Sequence, residues 1–238
     1  MIFLSIIIPA KNESKRLPLT IVDLDKKLKS FDFSYEVIVV DNKSSDSTSK
    51  VIERFSTMMP YLKLMEGDGL GKGSAVKAGM LEAKGVYRLF LDADNSTSVD
   101  QFEKMLPYFK EGYDVVIGSR YVDGAVMDPP QPFYKRVLGR AGNLIIRIFL
   151  LPGFKDTQCG FKCFKSEAAS HVFERSSIGG WGFDAEAIVL AIRAGFRVKE
   201  MPIIWKDDSE TKVSFFDYFR VLGETVLIRF RLWTGYYK

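Results

Sequence analysis

Leu89-Phe90-Leu91-Asp92-Ala93-Asp94 is an apolar stretch that stops on two carboxylates one residue apart. Side chains alternate faces along a strand, so this spacing predicts Asp92 and Asp94 on one side of a strand end. Hard oxygen ligands in that pattern suit Mg²⁺ or Mn²⁺ carrying a diphosphate. One or two carboxylates suffice there, because the substrate supplies the remaining ligands. Aspartates also cap ordinary turns, so the surrounding elements must decide between the two readings.

Those elements alternate. Residues 3–8 read as a β-branched apolar strand stopped by Pro9, and Leu19–Leu28 has helical periodicity. Tyr35–Val40 is a second buried strand ending on Asp41, followed by a helix over Ser47–Phe55. Leu62–Met65 is a short strand, Ala75–Ala83 a helix, Tyr87–Leu91 a strand, Val99–Lys110 a helix and Asp114–Ile117 a strand. Such alternation predicts an α/β fold with a mostly parallel, doubly wound sheet, whose ligands bind at the carboxyl ends of the strands. Asp41, Asp92 and Gly118-Ser119-Arg120 all fall at such ends. Beyond them, 121–136 reads as a proline-rich loop, Phe183–Ala194 as a helix and Arg197–Trp205 as a strand. One domain over 1–214 with an aromatic and basic amphipathic segment over 215–238 is the expected organisation.

Two further stretches carry chemistry. Asp41-Asn42-Lys43-Ser44-Ser45-Asp46-Ser47-Thr48 sets acids and hydroxyls on a strand-to-helix turn, where Asp41 can accept from a base or a ribose. Asp46 reads first as a cap for the next helix. Gly67-Asp68-Gly69-Leu70-Gly71-Lys72-Gly73-Ser74 brings backbone N–H groups to a helix start, which favours an anion. It is not a Walker A loop, since Gly73 follows Lys72.

Taken in order, Pro9-Ala10-Lys11-Asn12-Glu13, the Asp41 turn, Gly71-Lys72-Gly73-Ser74-Ala75 and Asp92-Ala93-Asp94 resemble the family 2 glycosyltransferases of the GT-A fold. The resemblance implies inverting transfer from a nucleotide sugar. It places Pro9, Ala10, Asn12, Glu13, Asp41, Lys72, Asp92, Ala93, Gln158 and Trp181 around the donor. Asp41 would meet the base or its ribose, Asp92 the ribose or metal, and Asp94 the Mg²⁺ or Mn²⁺ bridging the diphosphate. Asp156–Lys162, Gly180–Glu186 and the Glu200–Trp205 strand look like those of dolichyl-phosphate glucosyltransferases, as does the polar segment containing Lys212. Eukaryotic members begin with a membrane anchor, whereas this sequence opens on its first strand, and Asn95 stands where glycine is expected after the aspartate pair.

A polyprenyl phosphate is an anion on an apolar tail at a bilayer surface, and the second half of the chain fits it. Tyr134-Lys135-Arg136 and Arg140 precede the apolar run Leu144–Leu151, and 215–237 interleaves aromatic, aliphatic and basic residues. The other use of that amphipathic segment is packing on the core or against a second copy. A phosphate monoester is largely a dianion at neutral pH, its second pKa being near 6. It needs positioning and charge screening more than a base. Arg120, Arg136 and Arg140 are the expected phosphate ligands, arginine suiting bidentate geometry. Asp184, where the resemblance puts a base, becomes an orienting group. Trp181 either stacks on the sugar or packs in the core.

The composition agrees. The 238 residues are 47% hydrophobic with net charge +4, which supports a full core and gives no call for nucleic acid. A single histidine, His171, removes most Ser-His and Cys-His schemes, and two cysteines make no disulfide scaffold or zinc site. No segment reaches the ~18 uncharged apolar residues of a membrane span. The expected location is peripheral, on the cytoplasmic face of a membrane. Three alternatives stay open: a mannosyl donor such as GDP-mannose, a sugar hydroxyl as acceptor, and a sugar nucleotidyltransferase, whose basic first loop the 8–18 segment partly matches.

Overall fold

The computed structural model describes residues 1–129, 133–206 and 215–237; of Arg136 and Arg140 only the backbone is described. Lys212 lies outside the described residues. Strand and helix alternate through β1 (Leu4–Ala10), α1 (Leu17–Leu28), β2 (Tyr35–Asp41), α2 (Thr48–Met58), β3 (Leu62–Glu66), α3 (Lys72–Glu82) and β4 (Tyr87–Leu91). β1 is apolar on both faces because helices cover both sides of a parallel sheet, and Ile6, Ile7 and Ile8 are all buried. Pro18 in the first turn of α1 fixes a helical φ where no N–H is needed.

β1, β2, β3 and β4 pair in parallel, with Ala10 opposite Asp41 and Asp41 opposite Glu66. Register alone therefore brings the ends of these strands to one edge. The chain continues through a 3₁₀ turn (Val99–Met105), α4 (Leu106–Lys110), β5 (Val115–Ser119), β6 (Val126–Met127) and α5 (Phe133–Phe149). It then forms β7 (Phe161–Lys165), α6 (Ser166–Arg175), α7 (Phe183–Arg193), β8 (Val198–Pro202), β9 (Ile204–Trp205) and α8 (Phe215–Thr234). The main sheet has the order β3-β2-β1-β4-β7-β5-β8, and β6 pairs with β9 in a small parallel ribbon.

Four expectations need correction. The 99–110 segment is a 3₁₀ turn followed by a short α-helix, because Pro107 has no N–H to continue one ladder and sits instead in a first turn. The 121–136 segment is not all loop, since α5 already starts at Phe133. The 197–205 strand divides into β8 and β9, which join different sheets. β7 and α6 form over 161–175, where the sequence pattern predicts no element, and β7 runs antiparallel to both β4 and β5. That reversal has a consequence for the site, because the start of β7 lies beside the end of β4, with Phe161 opposite Leu91.

One core packs on each sheet face. Ile8, Val39, Leu89 and Phe102 share one, while Ile7, Phe90, Phe164 and Phe183 share the other. The second core also takes Ile228 and Tyr237 from the C-terminal segment, so one face of α8 is packed. α5 lies against it.

Candidate active site

Asp92 and Asp94 do not sit on the strand. β4 ends at Leu91, and both acids occupy the turn after it, closed by Asn95 with φ of 56°. They are brought together by that turn rather than by strand alternation. The Ser96 amide donates to Asp94 Oδ1 at 2.9 Å. Burial, and then the charge of Asp92, raise the Asp94 pKa. The two carboxylates share a partly buried turn in which the Asp92 charge disfavours that of Asp94, and a cation would relax this. Among the described residues no cluster of three acid, histidine or cysteine ligands exists. The donor set therefore fits a hard divalent ion that takes its other ligands from a diphosphate.

The glycine-rich loop meets this turn. Lys72 opens α3 and places Nζ 2.5 Å from Asp92 Oδ1. Burial opposes its charge, but Asp92, Asp184 and Asp94 outweigh burial and the Lys72 pKa is raised. Its ammonium also stands 5.3 Å from the centroid of the part-exposed Trp181 ring. Asn42, one residue past β2, donates to the Gly71 carbonyl at 2.8 Å and accepts from the Gly69 amide. A cation, a helix N-terminus and a ring are thereby held beside two carboxylates, an arrangement suited to a sugar diphosphate.

The loop before β7 closes the other side. A Cβ at Gly160 would overlap the Asp92 carboxylate, so only glycine permits this approach. Lys162 of β7 is fully buried and donates to Asp184 and, at 2.6 Å, to the Cys159 carbonyl. Phe183 begins α7, so Asp184 lies in its first turn. Burial raises the Asp184 pKa, offset in part by Lys162 and Lys72.

Asp41 ends β2 as expected and is buried; Ser44 and Ser49 hydroxyls donate to its two oxygens. Ala10 lies opposite it in the sheet, one residue after Pro9. Asn12 (φ 55°) ties the first loop to the second, accepting from the Ser45 amide at 2.8 Å. Glu13 pairs with Arg16 and donates its amide to Thr48. The Ala93 carbonyl accepts from Thr20. Gln158 is half-buried in the loop before β7.

Arg120 has a buried partner that the sequence did not show. Its Nε and Nη2 donate to the buried Asp156 at 2.7 and 2.9 Å, with its amide also on Asp156 Oδ2. Burial opposes the guanidinium charge, but Asp156 outweighs it and raises the pKa. The fork assigned to an acceptor phosphate is thus occupied by a carboxylate. Positions 136 and 140 lie one turn apart on α5, on one face of that helix.

Sequence reasoning gave no role to Lys162, Asp156 or Glu224. Lys162 carried a signal: a lysine inside Phe161-Lys162-Cys163-Phe164 demands a buried partner. Glu186, two residues past Asp184, is structural. It accepts from the Ser177 and Ile178 amides and from the Tyr237 hydroxyl.

Acidic turn, glycine-led helix start and antiparallel insertion at the carboxyl edge of a largely parallel sheet define the GT-A class. Its solved structures include mannosyl-3-phosphoglycerate synthase from Rubrobacter xylanophilus, with TM-score 0.71 and 16% identity over 98% of this chain and 75% of that one. Glucosyl-3-phosphoglycerate synthase from Mycobacterium tuberculosis, in complex with Mn²⁺, UDP-glucose and phosphoglyceric acid, superposes with TM-score 0.67 and 15% identity over 95% and 79%. The model of the Glycosyl transferase family 2 matches residues 5–173, and the chain belongs to that family. Similar sequences include dolichyl-phosphate beta-glucosyltransferases. That of Dictyostelium discoideum is 34% identical over all of this chain and 77% of its own length. The Homo sapiens protein is 30% identical over 99% and 77%.

Proposed function

We propose that this glycosyltransferase moves glucose from UDP-glucose to the phosphate of a polyprenyl or dolichyl phosphate, with inversion at the anomeric carbon. A phosphate oxygen of the acceptor attacks that carbon, its bond to the donor diphosphate breaks, and the electron pair leaves on UDP. Asp92 and Asp94 would hold Mg²⁺ or Mn²⁺, which supplies Lewis-acid neutralisation of the diphosphate. Lys72 and the start of α3 add fixed positive charge beside it, and Trp181 offers an apolar face to the sugar. Asp41 and the first loop take the nucleoside end.

The observation that carries the acceptor assignment is the buried Asp184–Lys162 pair. An Asp184 oxygen that already holds an ammonium is suited to orienting a substrate. It is poorly placed to take a proton from a sugar hydroxyl. An acceptor that arrives as an anion requires no such transfer. A second reading rests on the raised Asp184 pKa, which is what a general base acting on a sugar hydroxyl needs.

The lipid reading has its own support. No helix among the described residues is long and apolar enough to cross a membrane. Yet α8 exposes Phe219, Val226, Phe230 and Trp233 along one stripe, and the adjacent α5 exposes Leu144, Ile148 and Phe149. Apolar and aromatic side chains bracketed by arginines suit the headgroup region of an anionic bilayer, each basic residue adding about 1 kcal/mol. Positions 136 and 140 of α5, together with Arg120, are the acceptor-phosphate candidates. The proposed place of action is the cytoplasmic face of a membrane.

Radiolabelled UDP-glucose, a short polyprenyl phosphate and Mg²⁺ or Mn²⁺ provide the test. Label should pass to the lipid, cease with EDTA, and fall at least 100-fold in Asp94→Ala. Labelling from GDP-mannose alone would overturn the donor, and labelling of a sugar hydroxyl alone would overturn the acceptor.

A further inference from the structure

α8 has two faces of opposite character. Along one, Phe219, Val226, Phe230 and Trp233 are exposed, Trp233 at 82%. Along the other, Thr225 and Ile228 are buried and Glu224 is half-buried. At 100° per residue Glu224 and Ile228 lie within about 40° of one another, and Val226 and Trp233 fall nearly opposite. Glu224 therefore points inward, and what it reaches is the site.

Glu224 Oε2 accepts from the Gly182 amide at 2.6 Å. Gly182 is the residue from which α7 starts, so Glu224 caps that helix from another element and sets a negative charge at its positive end. The contact is close on both sides of Trp181. A Cβ at Gly180 would overlap Glu224 Oε1, and one at Gly182 would stand 2.9 Å from Glu224 Cβ. The sequence Gly180-Trp181-Gly182 thus lets the turn lie flush on the carboxylate. The same turn is fastened from its other side, where the Gly73 amide donates to the Gly179 carbonyl at 2.8 Å. From it project the Trp181 ring over Lys72 and, in the first turn of α7, Asp184.

We propose that Glu224 is a positioning residue for glycosyl transfer: through the Gly182 amide it holds the turn that presents Trp181 and Asp184, which makes α8 part of the active-site framework. The proposal rests on the transferase reading of Trp181 and Asp184. It also gives the outward apolar face a consequence, because a lipid surface engaging α8 bears on the helix that fixes this turn.

The full-length chain is compared as wild type, Glu224→Ala, Glu224→Gln and Tyr237→Phe. Glutamine keeps an oxygen acceptor for the Gly182 amide. Tyr237→Phe loosens the end of the C-terminal segment from Glu186 without touching the turn. In Glu224→Ala, kcat should fall at least 10-fold with UDP affinity within about 2-fold of wild type. Hydrogen exchange over 179–186 should accelerate at least 10-fold. Glu224→Gln should restore most of both, and Tyr237→Phe should lower the melting temperature while keeping kcat. Unchanged exchange and kcat in Glu224→Ala would overturn the proposal. So would an equal loss of kcat in Tyr237→Phe, which would mean that any loosening of the segment suffices. A wild-type chain that labels no lipid phosphate would defeat the acceptor reading alone, since exchange over 179–186 still decides Glu224. Failure of the wild type to sediment with anionic vesicles would defeat only the surface reading.

Discussion

Replacing Lys162 by methionine probes the charge balance beneath the site. The ammonium is fully buried, donates to Asp184 and the Cys159 carbonyl, and stands 5.3 Å from the Phe90 ring centroid. Methionine fills most of the volume of the lysine stem, so packing changes little and the main effect is a stranded Asp184 carboxylate. A stranded buried carboxylate relaxes by taking a proton, and the cost of protonating it caps the loss. Starting from the ordinary value of 3.8, protonation costs about 1.36 kcal/mol per pH unit, hence about 4 kcal/mol at pH 7 and about 1.6 kcal/mol at pH 5. The pH 7 figure lies in the range of about 3–5 kcal/mol for breaking a buried pair. The sign follows from linkage. Burial already raises the Asp184 pKa, and losing Lys162 raises it further. The folded chain then holds a proton that the unfolded chain releases above about pH 4, so stability falls as pH rises. Asp184→Asn in the same chain removes the charge and should recover most of the loss. Urea unfolding of the wild type, the single and the double variants at pH 5 and pH 7 measures all of this. A single-variant loss under about 1 kcal/mol at pH 7, a loss that ignores pH, or no recovery in the double variant would refute the reasoning.

Two further outcomes are expected. Gly160→Ala should push the Asp92 carboxylate out of the turn it shares with Asp94, raising the Mn²⁺ concentration for half-maximal transfer at least 10-fold; a metal titration of activity checks this. Asp46 accepts from the Thr48 amide at 3.0 Å and from the Ser14 amide at 3.2 Å, and with the Thr48 hydroxyl these bonds bring its pKa to about 2 against the opposing effect of burial. Asp46→Ala should cost about 1 kcal/mol at neutral pH. Because the folded-state pKa is depressed, that difference should hold above about pH 4 and shrink as pH falls toward 2, which chemical denaturation across pH will show.

The α/β alternation was legible because each parallel strand is apolar on both faces and each ends on a polar turn, a pattern that lies within five to seven residues (β1, β2, β4). For the same reason Asp41, Lys72, Asp92 and Asp94 could be read as one cluster: parallel strands that share a register must end together. β7 escaped because Lys162 breaks its apolar run, and a buried lysine looks like surface until its carboxylate is known. Pro107 marks the break in the 99–110 segment, since it cannot donate to one continuous helical ladder.

Which residue types stand at the strand ends is written in the chain, since motif chemistry is local and its order survives folding. Tertiary structure decided which charges those residues answer to. Arg120 is spent on Asp156, 36 positions away, and Lys162 on Asp184, 22 positions away. Glu224 reaches Gly182 across 42 positions. A buried charge must find an opposite partner or a donor wherever the fold supplies one. That partner is chosen by helix docking and strand reversal, neither of which is written in spacing along the chain.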